Sequence, residues 1–266
     1  MKIAGLCCTN GRFSYLKRVL SFFLTQSHEN KILVIFNNSE VAINIVNIPN
    51  VLLINNYIDY TTHLPYQNVG AIFRDALSHV PTDVDYVSIM DDDDIYFPDH
   101  FSSAANVFKN NDDVVVWQPS HFYFKKNAVE VEYKEISGYN LEPSSIVKYD
   151  FISKEGFNTD SSLTYHLKWL NKAKQSKKYF VDQNPLHHQF CYEFGQTKIL
   201  NTSAYATIND ENAKKEIDTL IQKYNDYGKN EILTPWTQTK TKEFYDFILK
   251  LNQMNQIVNT KKLQDN

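Results

Sequence analysis

The sequence has few cysteines and no long apolar segment, and both shortages narrow the class of protein. Only Cys7, Cys8 and Cys191 occur among the 266 residues. An odd, sparse count without metal-ligand spacing is typical of a reduced protein rather than a disulfide scaffold. The longest apolar stretches, such as VLSFFL, are far shorter than the roughly 20 residues that a membrane-spanning helix needs. The N-terminus shows no signal-peptide pattern. We therefore expect a cytoplasmic protein without a membrane span.

Arginine is also scarce, since it occurs only at Arg12, Arg18 and Arg74. Lysine and arginine together number 27 against 31 aspartates and glutamates. The formal net charge of −4 argues against a chain covered by a basic field for nucleic acid or membrane. One local exception is Lys168–Lys178, which holds five lysines and no acid. Hydrophobic residues make up 42% of the chain, which is enough for a folded core.

Glycine-rich nucleotide-binding motifs are missing as well. No G-x-G-x-x-G follows a strand-like segment and no G-x-x-x-x-G-K-[ST] occurs, which argues against a dinucleotide site and a P-loop. A calcium loop of the EF-hand type does not fit either. Counted from Asp91, its fifth, sixth and twelfth positions are Ile95, Tyr96 and Ser102 instead of an oxygen ligand, glycine and glutamate.

Short apolar segments alternate with amphipathic ones along the first half of the chain. This alternation predicts βαβ units and a mostly parallel sheet. The predicted strands cover residues 3–8, 31–36, 51–54 and 85–90, and the predicted helices cover 14–27, 68–78 and 98–110. The second half predicts an antiparallel strand pair within 113–133 and helices at 161–174, 211–224 and 240–255. We expect one domain over 1–205 and a helical C-terminal extension over 206–266.

Four consecutive aspartates, Asp91–Asp94, directly follow the predicted strand at 85–90. Ligands of open α/β sheets bind at the carboxyl ends of the strands. Carboxylates crowded there repel one another unless a cation lies among them. Mg²⁺ and Mn²⁺ prefer oxygen ligands, often one or two carboxylates together with substrate phosphates. The run therefore predicts a divalent-cation site rather than a merely solvated loop.

Three segments follow one another in an order and spacing that resembles the nucleotide-sugar half of a family 2 glycosyltransferase with the GT-A fold. They are KIAGLCCTNGR, NVGAIFRDAL and MDDDDIYFPDHF. The resemblance implies an α/β fold with a Rossmann-like mixed, mostly parallel sheet flanked by helices. It covers residues 1–125, the nucleotide-sugar-binding half, and extends more loosely over the acceptor half at 126–205.

The resemblance implies donor contacts at the ends of several strands. Candidates for base and phosphate contact are Thr9, Asn10 and Arg12, and Asn68 would line the base and ribose. The family's base-reading carboxylate is replaced here by Asn37 or Asn38, with Asn38 as the candidate. An amide both donates and accepts hydrogen bonds, whereas a carboxylate only accepts. Uracil remains the default base, so a UDP-type sugar is the expected donor.

The resemblance also divides the acidic run by role. Asp93 would bind Mn²⁺ or Mg²⁺. Asp91 and Asp92 would lie near the ribose, or one of them would complete the D-x-D pattern. Asp94 would cap the turn before the next helix. His188, in NPLHHQF, would be an additional metal ligand, although a histidine pair is also an ordinary turn feature.

In the acceptor half, Asp160 within GFNTDSSLTYHLKWL stands at the position of the family's general base. It would deprotonate the acceptor hydroxyl, which implies an inverting displacement. The alternative role of Asp160 is a helix N-cap, because aspartate before a helical segment is a favoured capping residue.

These inferences predict a metal-dependent, inverting glycosyltransferase that moves a hexose or pentose to a glycan or to a hydroxylated base in phage DNA. The lysine segment and a composition rich in Asn, Ile, Tyr and Phe, typical of an AT-rich genome, motivate the DNA acceptor. The alternative interpretation of the lysine segment is a solvated helix end, where lysines are favoured. One alternative is a nucleotidyltransferase, although the usual glycine-rich basic loop is absent. The other is a non-catalytic nucleotide-sugar-binding relative. The oligomeric state stays open.

Overall fold

The computed structural model describes residues 1–45, 48–126, 130–136, 142–160, 164–187 and 189–194. The predicted helices at 211–224 and 240–255 and the whole C-terminal extension lie outside the described residues. The domain boundary at residue 205 therefore stays a prediction.

Eleven strands and five helices occur in the described part of the chain. The strands are β1 (Ile3–Thr9), β2 (Lys31–Asn37), β3 (Val51–Asn55), β4 (Tyr86–Ile89), β5 (Ile95–Tyr96), β6 (Val116–Pro119), β7 (His121–Lys126), β8 (Glu130–Glu135), β9 (Ile146–Lys148), β10 (Tyr179–Asp182) and β11 (Phe190–Phe194). The helices are α1 (Phe13–Leu24), α2 (Val69–Leu77), α3 (His100–Asn110), α4 (Tyr149–Glu155) and α5 (Leu167–Gln175).

The central sheet has seven strands in the order β10-β6-β9-β4-β1-β2-β3. β1 runs parallel to both β2 and β4, and β2 runs parallel to β3. β9 lies antiparallel between β4 and β6. Every residue of β1 is buried, as expected of a strand covered on both faces. The sheet is therefore mixed and mostly parallel, which confirms the predicted fold class.

Helices cover both faces of this sheet. The first core cluster joins α1 and α3 to one face through residues such as Phe22, Phe101 and Trp117. The second joins α2, α4 and α5 to the other face through residues such as Phe73, Ile152 and Trp169. Burying a large apolar side chain of this kind stabilises the fold by about 1.5–3 kcal/mol. None of the helices in the described residues is long and apolar enough to cross a membrane.

A second sheet of four strands, in the order β5-β11-β7-β8, lies beside the first. β7 and β8 pair antiparallel from His121 opposite Glu135 to Lys126 opposite Glu130. The predicted antiparallel pair within 113–133 is therefore present, but β6 belongs to the central sheet and only β7 pairs with β8.

Two predicted helices begin later than expected. α3 begins at His100 rather than Pro98, because Pro98 and Asp99 are hydrogen-bonded to the segment that follows α1. Ser27 donates its backbone N–H to Pro98 O at 2.7 Å and its hydroxyl to Asp99 Oδ1 at 2.8 Å. α5 begins at Leu167 rather than residue 161. Residues 164–166 form a turn instead, and within it Tyr165 O accepts the N–H of Asn158 at 2.8 Å.

Candidate active site

The candidate site is built where three neighbouring parallel strands end. β4, β1 and β2 lie side by side, so the residues that follow them meet at one edge of the sheet. This edge brings together Thr9 at the end of β1, Asn10 and Arg12 after it, Asn38 after β2, and the acidic run after β4. Backbone bonds fix the strand ends to one another: Asn38 N–H donates to Thr9 O at 2.9 Å, and Met90 N–H donates to Leu6 O at 2.9 Å.

Asp92 lies in the interior of this edge, fully buried. It accepts a hydrogen bond from the Thr9 hydroxyl at 2.6 Å and pairs with the Arg12 guanidinium through both of its carboxylate oxygens. Burial and the neighbouring Asp93 raise the pKa of Asp92 to about 7, although Arg12 and Thr9 oppose that shift. Such a buried, bidentate ion pair holds the guanidinium in one orientation. The geometry thus gives Asp92 a positioning role toward Arg12.

Asp93 lies at the rim, where its carboxylate retains 14% of its exposure. Its Oδ2 also accepts from Arg12, at 3.1 Å. Arg12 therefore bridges Asp92 and Asp93 and partly neutralises both. One guanidinium cannot neutralise the whole acidic run, because Asp91, next to Asp92 in the chain, adds a further carboxylate.

Asp91 is half-buried and is fixed through its backbone, whose N–H donates to the Tyr96 hydroxyl oxygen at 2.8 Å. Burial, Asp93 and Glu142 raise the pKa of Asp91 well above its usual range, in that order of importance. Asp94 is buried behind it, and its N–H donates to Asp91 O at 3.4 Å, which closes the turn. The residue before α3 is Asp99 rather than Asp94, because β5 intervenes.

Glu142 is a component of the site that the sequence patterns did not reveal. It begins a 3₁₀ turn that precedes β9 and contacts β4, so its carboxylate is buried close to Asp91. The Tyr165 hydroxyl donates to Glu142 Oε1, and His166 Nδ1 lies 3.2 Å from Glu142 Oε2. Glu142 reaches this site because β9 inserts antiparallel beside β4, and no local sequence motif predicts that insertion.

The two asparagines after β2 have separate roles. The amide of Asn37 is fully engaged: its oxygen accepts from Gly11 N–H at 3.0 Å and Ser39 N–H at 3.2 Å, and its nitrogen donates to Val41 O and Asn55 Oδ1, both at 2.8 Å. Asn38 Oδ1 is buried and has no hydrogen-bond partner among the described residues. The acceptor left for a ligand therefore belongs to Asn38.

Asn68 is the N-cap of α2. Its side-chain oxygen accepts the N–H of Ala71 at 2.8 Å. The first turn of α2 packs against the loop that carries Asp160, because a Cβ on Gly70 would lie 1.8 Å from Asn158 O. Asn68 thus has a structural function, and its predicted contact with the ribose stays a prediction.

Asp160 lies on the surface, with its backbone N–H donated to Asn158 Oδ1 at 3.0 Å. Residues 161–163 are outside the described part, and the next helix begins only at Leu167. Asp160 therefore does not cap α5, whose N-cap is His166. Its role as the general base stays a prediction.

His188 lies outside the described residues, so its predicted role as a metal ligand also stays a prediction. Its neighbour His187 has its Nδ1 at 2.7 Å from Asp182 Oδ2, and that same oxygen accepts from Trp117 Nε1 at 2.9 Å. The carboxylate of Asp182 fixes the orientation of the His187 ring, as a carboxylate beside an imidazole commonly does.

The carboxylates of the run fit a hard divalent cation. Asp91 and Asp93 would supply oxygen ligands. Burial, Asp93 and Glu142 raise the pKa of Asp91, and a nearby cation would favour its charged form. No group of three or more His, Cys, Asp or Glu side chains within the described ranges is arranged to hold a metal by itself. One or two carboxylates completed by substrate phosphates is the arrangement that Mg²⁺ commonly adopts.

Comparison with known proteins decides the family. A family model described as "Glycosyl transferase family 2" matches residues 6–196. The chain belongs to this family. The match confirms the predicted family and the predicted enzyme class, glycosyltransferase. None of the curated proteins compared matches the chain.

Solved structures of S. aureus TarS share the fold. TarS 1–349 superposes with a TM-score of 0.56 at 14% identity, over 73% of this chain and 60% of that chain. Its complex with UDP-GlcNAc gives 0.57 at 14% identity over 87% and 68%, and its complex with UDP gives 0.50 at 14% identity over 73% and 61%. This family 2 chain thus spans about 60% of TarS 1–349 in the first of these comparisons.

Proposed function

We propose that this family 2 chain transfers a sugar from a nucleoside-diphosphate sugar, of the UDP type, to a hydroxyl group of an acceptor. The observation that carries the proposal is the convergence of Thr9, Arg12, Asn38 and the acidic run at one edge of the sheet. The TarS structures with UDP and UDP-GlcNAc support it, because a protein with a similar fold holds a uridine nucleotide.

Uracil suits the amide of Asn38. The unused Oδ1 of Asn38 would accept the N3–H of uracil, and its amide nitrogen would donate to a uracil carbonyl oxygen. Satisfying a buried acceptor that otherwise has no partner contributes about 1–3 kcal/mol to binding. Arg12, held by Asp92, would lie near the diphosphate and supply positive charge to it.

A divalent cation completes the donor site in this proposal. Asp93 would hold Mn²⁺ or Mg²⁺ from the rim of the site, with Asp91 beside it. When bound, such an ion offsets the negative charge that develops on the leaving nucleoside diphosphate. Asp91 and Glu142 shape the acidic wall behind it.

Transfer itself would use Asp160 as the general base. The acceptor oxygen attacks the anomeric carbon, the bond from that carbon to the diphosphate oxygen breaks, and the acceptor proton passes to the Asp160 carboxylate. A single displacement of this kind inverts the anomeric configuration. The acceptor is a glycan or a hydroxylated base in DNA, and a base within a duplex would first have to be flipped out of the stack.

Calorimetric titration with UDP-sugars, with and without Mn²⁺, tests the donor site. We expect Mn²⁺-dependent binding to wild type and a loss of at least about tenfold in Asp93→Ala, since a charge-assisted contact contributes about 1.5–3 kcal/mol. The matched control is Asp113→Ala, an exposed aspartate in the turn between α3 and β6. Unchanged affinity in Asp93→Ala would reject this role for Asp93.

Product analysis separates the chemical alternatives. Release of UDP from a UDP-sugar identifies a transferase, release of pyrophosphate identifies a nucleotidyltransferase, and binding without any product identifies a non-catalytic relative. An NMR assignment of the anomeric configuration of the product then distinguishes inversion from retention.

Asp160→Asn isolates the proposed base. We expect the variant to bind the UDP-sugar as wild type does and to lose about 10²-fold or more in turnover, because general-base catalysis typically contributes 10²–10⁴-fold. Asp150→Asn, an exposed aspartate on α4, is the control. Full activity of Asp160→Asn would show that another group takes the proton.

A further inference from the structure

A cleft of about 470 Å³ opens beside α5, at the end of α4. Its volume lies in the usual range for sites that bind small molecules. Most residues that line it are polar or charged, with Glu155, Asn158, Thr164, Lys168, Asn171 and Lys172 among them, and the aliphatic carbons of the lining side chains form most of the exposed wall. Small-molecule sites are usually lined mostly by apolar side chains. This cleft is therefore suited to a hydroxylated or charged ligand.

Two lysines face the cleft. Lys168 and Lys172 are four residues apart on α5, so they lie on one side of the helix. Both are exposed, and neither side chain forms an ion pair or hydrogen bond within the described part of the chain. Lys174, by contrast, lies over the ring of Tyr179 at 5.1 Å. Lys168 and Lys172 are therefore the cations of this helix that are available to an anion.

Lys168 also has a structural contact to consider. Its Nζ would lie 3.8 Å from a Cβ on Gly156, the residue that ends α4 with a φ of +68°. Cations are favoured at the C-terminal end of a helix, so Lys168 contributes to the stability of α4 in this position. Lys172, one turn further along α5, adds a second cation to the lining of the cleft.

The cleft adjoins the loop of the proposed base. Asn158 and Thr164 line it, and they flank the segment that contains Asp160. Asn158 N–H donates to Tyr165 O at 2.8 Å, and Asp160 N–H donates to Asn158 Oδ1 at 3.0 Å. A ligand bound in the cleft would therefore lie at the base of the loop whose carboxylate is to accept the acceptor proton.

We propose that this cleft binds an oxyanion carried by the acceptor, a phosphate or carboxylate on a polyol or glycan. Lys168 and Lys172 supply its positive charge, and the amides of Asn158 and Asn171 supply hydrogen bonds. The inference rests on the proposed function, which defines the acceptor.

The limited extent of the positively charged surface favours a polyol or glycan over duplex DNA. Duplex DNA carries phosphates along both strands and needs an extended basic surface, whereas the positive charge here lines one concave site.

Titrations with simple probes test the cleft. The probes are glycerol phosphate, glucuronate, neutral glycerol and a short DNA duplex, each followed by NMR or calorimetry. We expect saturable binding of at least one of the two anionic probes to wild type and none of glycerol. The double variant Lys168→Gln/Lys172→Gln should weaken anion binding about tenfold or more. Lys109→Gln on α3, exposed on the opposite face of the sheet, should leave it unchanged.

Several outcomes would overturn the proposal. They are equal anion affinity in wild type and the double variant, no anion binding at all, or duplex binding that exceeds probe binding and falls with both lysines. The single variants Lys168→Gln and Lys172→Gln keep the test decisive should the double variant not fold. The anionic probe that binds more tightly identifies the group on the acceptor.

A parallel titration with UDP separates this inference from the proposed function. Wild type that binds the anionic probe but no UDP or UDP-sugar would reject the donor chemistry and leave the anion site standing. Wild type that binds the UDP-sugar but neither anion would reject the cleft and leave the donor site standing. The double variant should keep wild-type UDP affinity.

Discussion

At the residue scale, the acidic run consists of four unequal carboxyl groups. Asp92 is buried against Thr9 and Arg12, Asp94 is buried in the turn, and Asp91 and Asp93 remain nearer the surface. Removing one partner of a buried ion pair typically costs about 3–5 kcal/mol, because it leaves an unpaired charge. Arg12 and Asp92 therefore hold the geometry of the site in addition to its charge.

Gly70 is the residue on which the loop of Asp160 depends. A Cβ at this position would lie 1.8 Å from the backbone oxygen of Asn158, which cannot move independently of its loop. We expect Gly70→Ala to destabilise the protein by about 1–3 kcal/mol, the usual cost of overpacking. Turnover should fall more than UDP-sugar affinity, because the loop that shifts carries the proposed base.

Urea unfolding and steady-state kinetics of Gly70→Ala measure both effects. Asn106→Ala, an exposed position of α3, is the control and should change stability by less than about 0.5 kcal/mol. Wild-type stability and turnover in Gly70→Ala would mean that the contact between α2 and the loop contributes neither to stability nor to catalysis.

The residues that form the candidate site were partly predictable from the sequence. The position of the carboxylates followed from a strand that ends in four aspartates, and those groups do lie at the carboxyl edge of the sheet. The pairing of Asp92 with Arg12 and the burial of Glu142 beside Asp91 did not follow. Both depend on contacts between segments far apart in the chain, for which a single sequence has no local signal.

At the element scale, α2 points its N-terminus toward the edge of the sheet and begins where Asn68 caps it. The side-chain oxygen of Asn68 accepts the Ala71 N–H at 2.8 Å, which satisfies one of the unpaired donors of the first turn. Asn68→Ala should therefore lose about 1 kcal/mol of stability, the typical cost of removing a cap.

Asn68→Ser is the informative partner variant, since serine is an equally good N-cap but lacks the amide. Chemical denaturation should show near wild-type stability for Asn68→Ser and a loss for Asn68→Ala. UDP-sugar affinity then reports on the amide alone. Equal stability in all three proteins would contradict the capping role.

The boundaries of the elements show where local patterns stop being sufficient. The strands at 31–36 and 51–54 and the helix at 68–78 were predicted within one residue at each end, because apolar periodicity determines them. α3 and α5 begin later than predicted, since Ser27 engages Pro98 and Asp99, and Tyr165 bonds to Asn158. β5 and β9, of two and three residues, are too short to produce a pattern.

At the scale of the whole molecule, the core contains a titratable group whose charge it does not tolerate. His100 on α3 is fully buried between aromatic rings, with Trp117 at 5.5 Å, Tyr96 at 5.4 Å and Phe190 at 6.4 Å between ring centroids. Burial lowers the pKa of His100 from 6.5 to about 3. The folded protein therefore keeps this imidazole neutral at pH values where the unfolded chain protonates it.

This difference predicts acid sensitivity with a definite sign. Above pH 6.5 neither state binds the proton, and stability is unaffected; as pH falls from 6.5 toward 3, only the unfolded state gains it. Stability is then lost by about 1.4 kcal/mol per pH unit, so about 2 kcal/mol is lost by pH 5. His100→Phe removes this contribution, and its unfolding free energy should fall less between pH 7 and pH 5 than that of wild type. Urea denaturation at the two pH values measures it, and parallel losses in both proteins would refute the assignment.

The antiparallel position of β9 has a consequence for the order in which the chain becomes complete during synthesis. β4 and β6 leave the ribosome before β9, the strand that joins them. Ser88 of β4 and Trp117 of β6 therefore lack their pairing partner until Ile146 has been synthesised. Until then, the emerging nucleotide-binding half exposes unpaired strand edges, which are sites of aggregation. Glu142 arrives with that joining strand. The acidic site is thus completed by the same stretch of chain that closes the sheet.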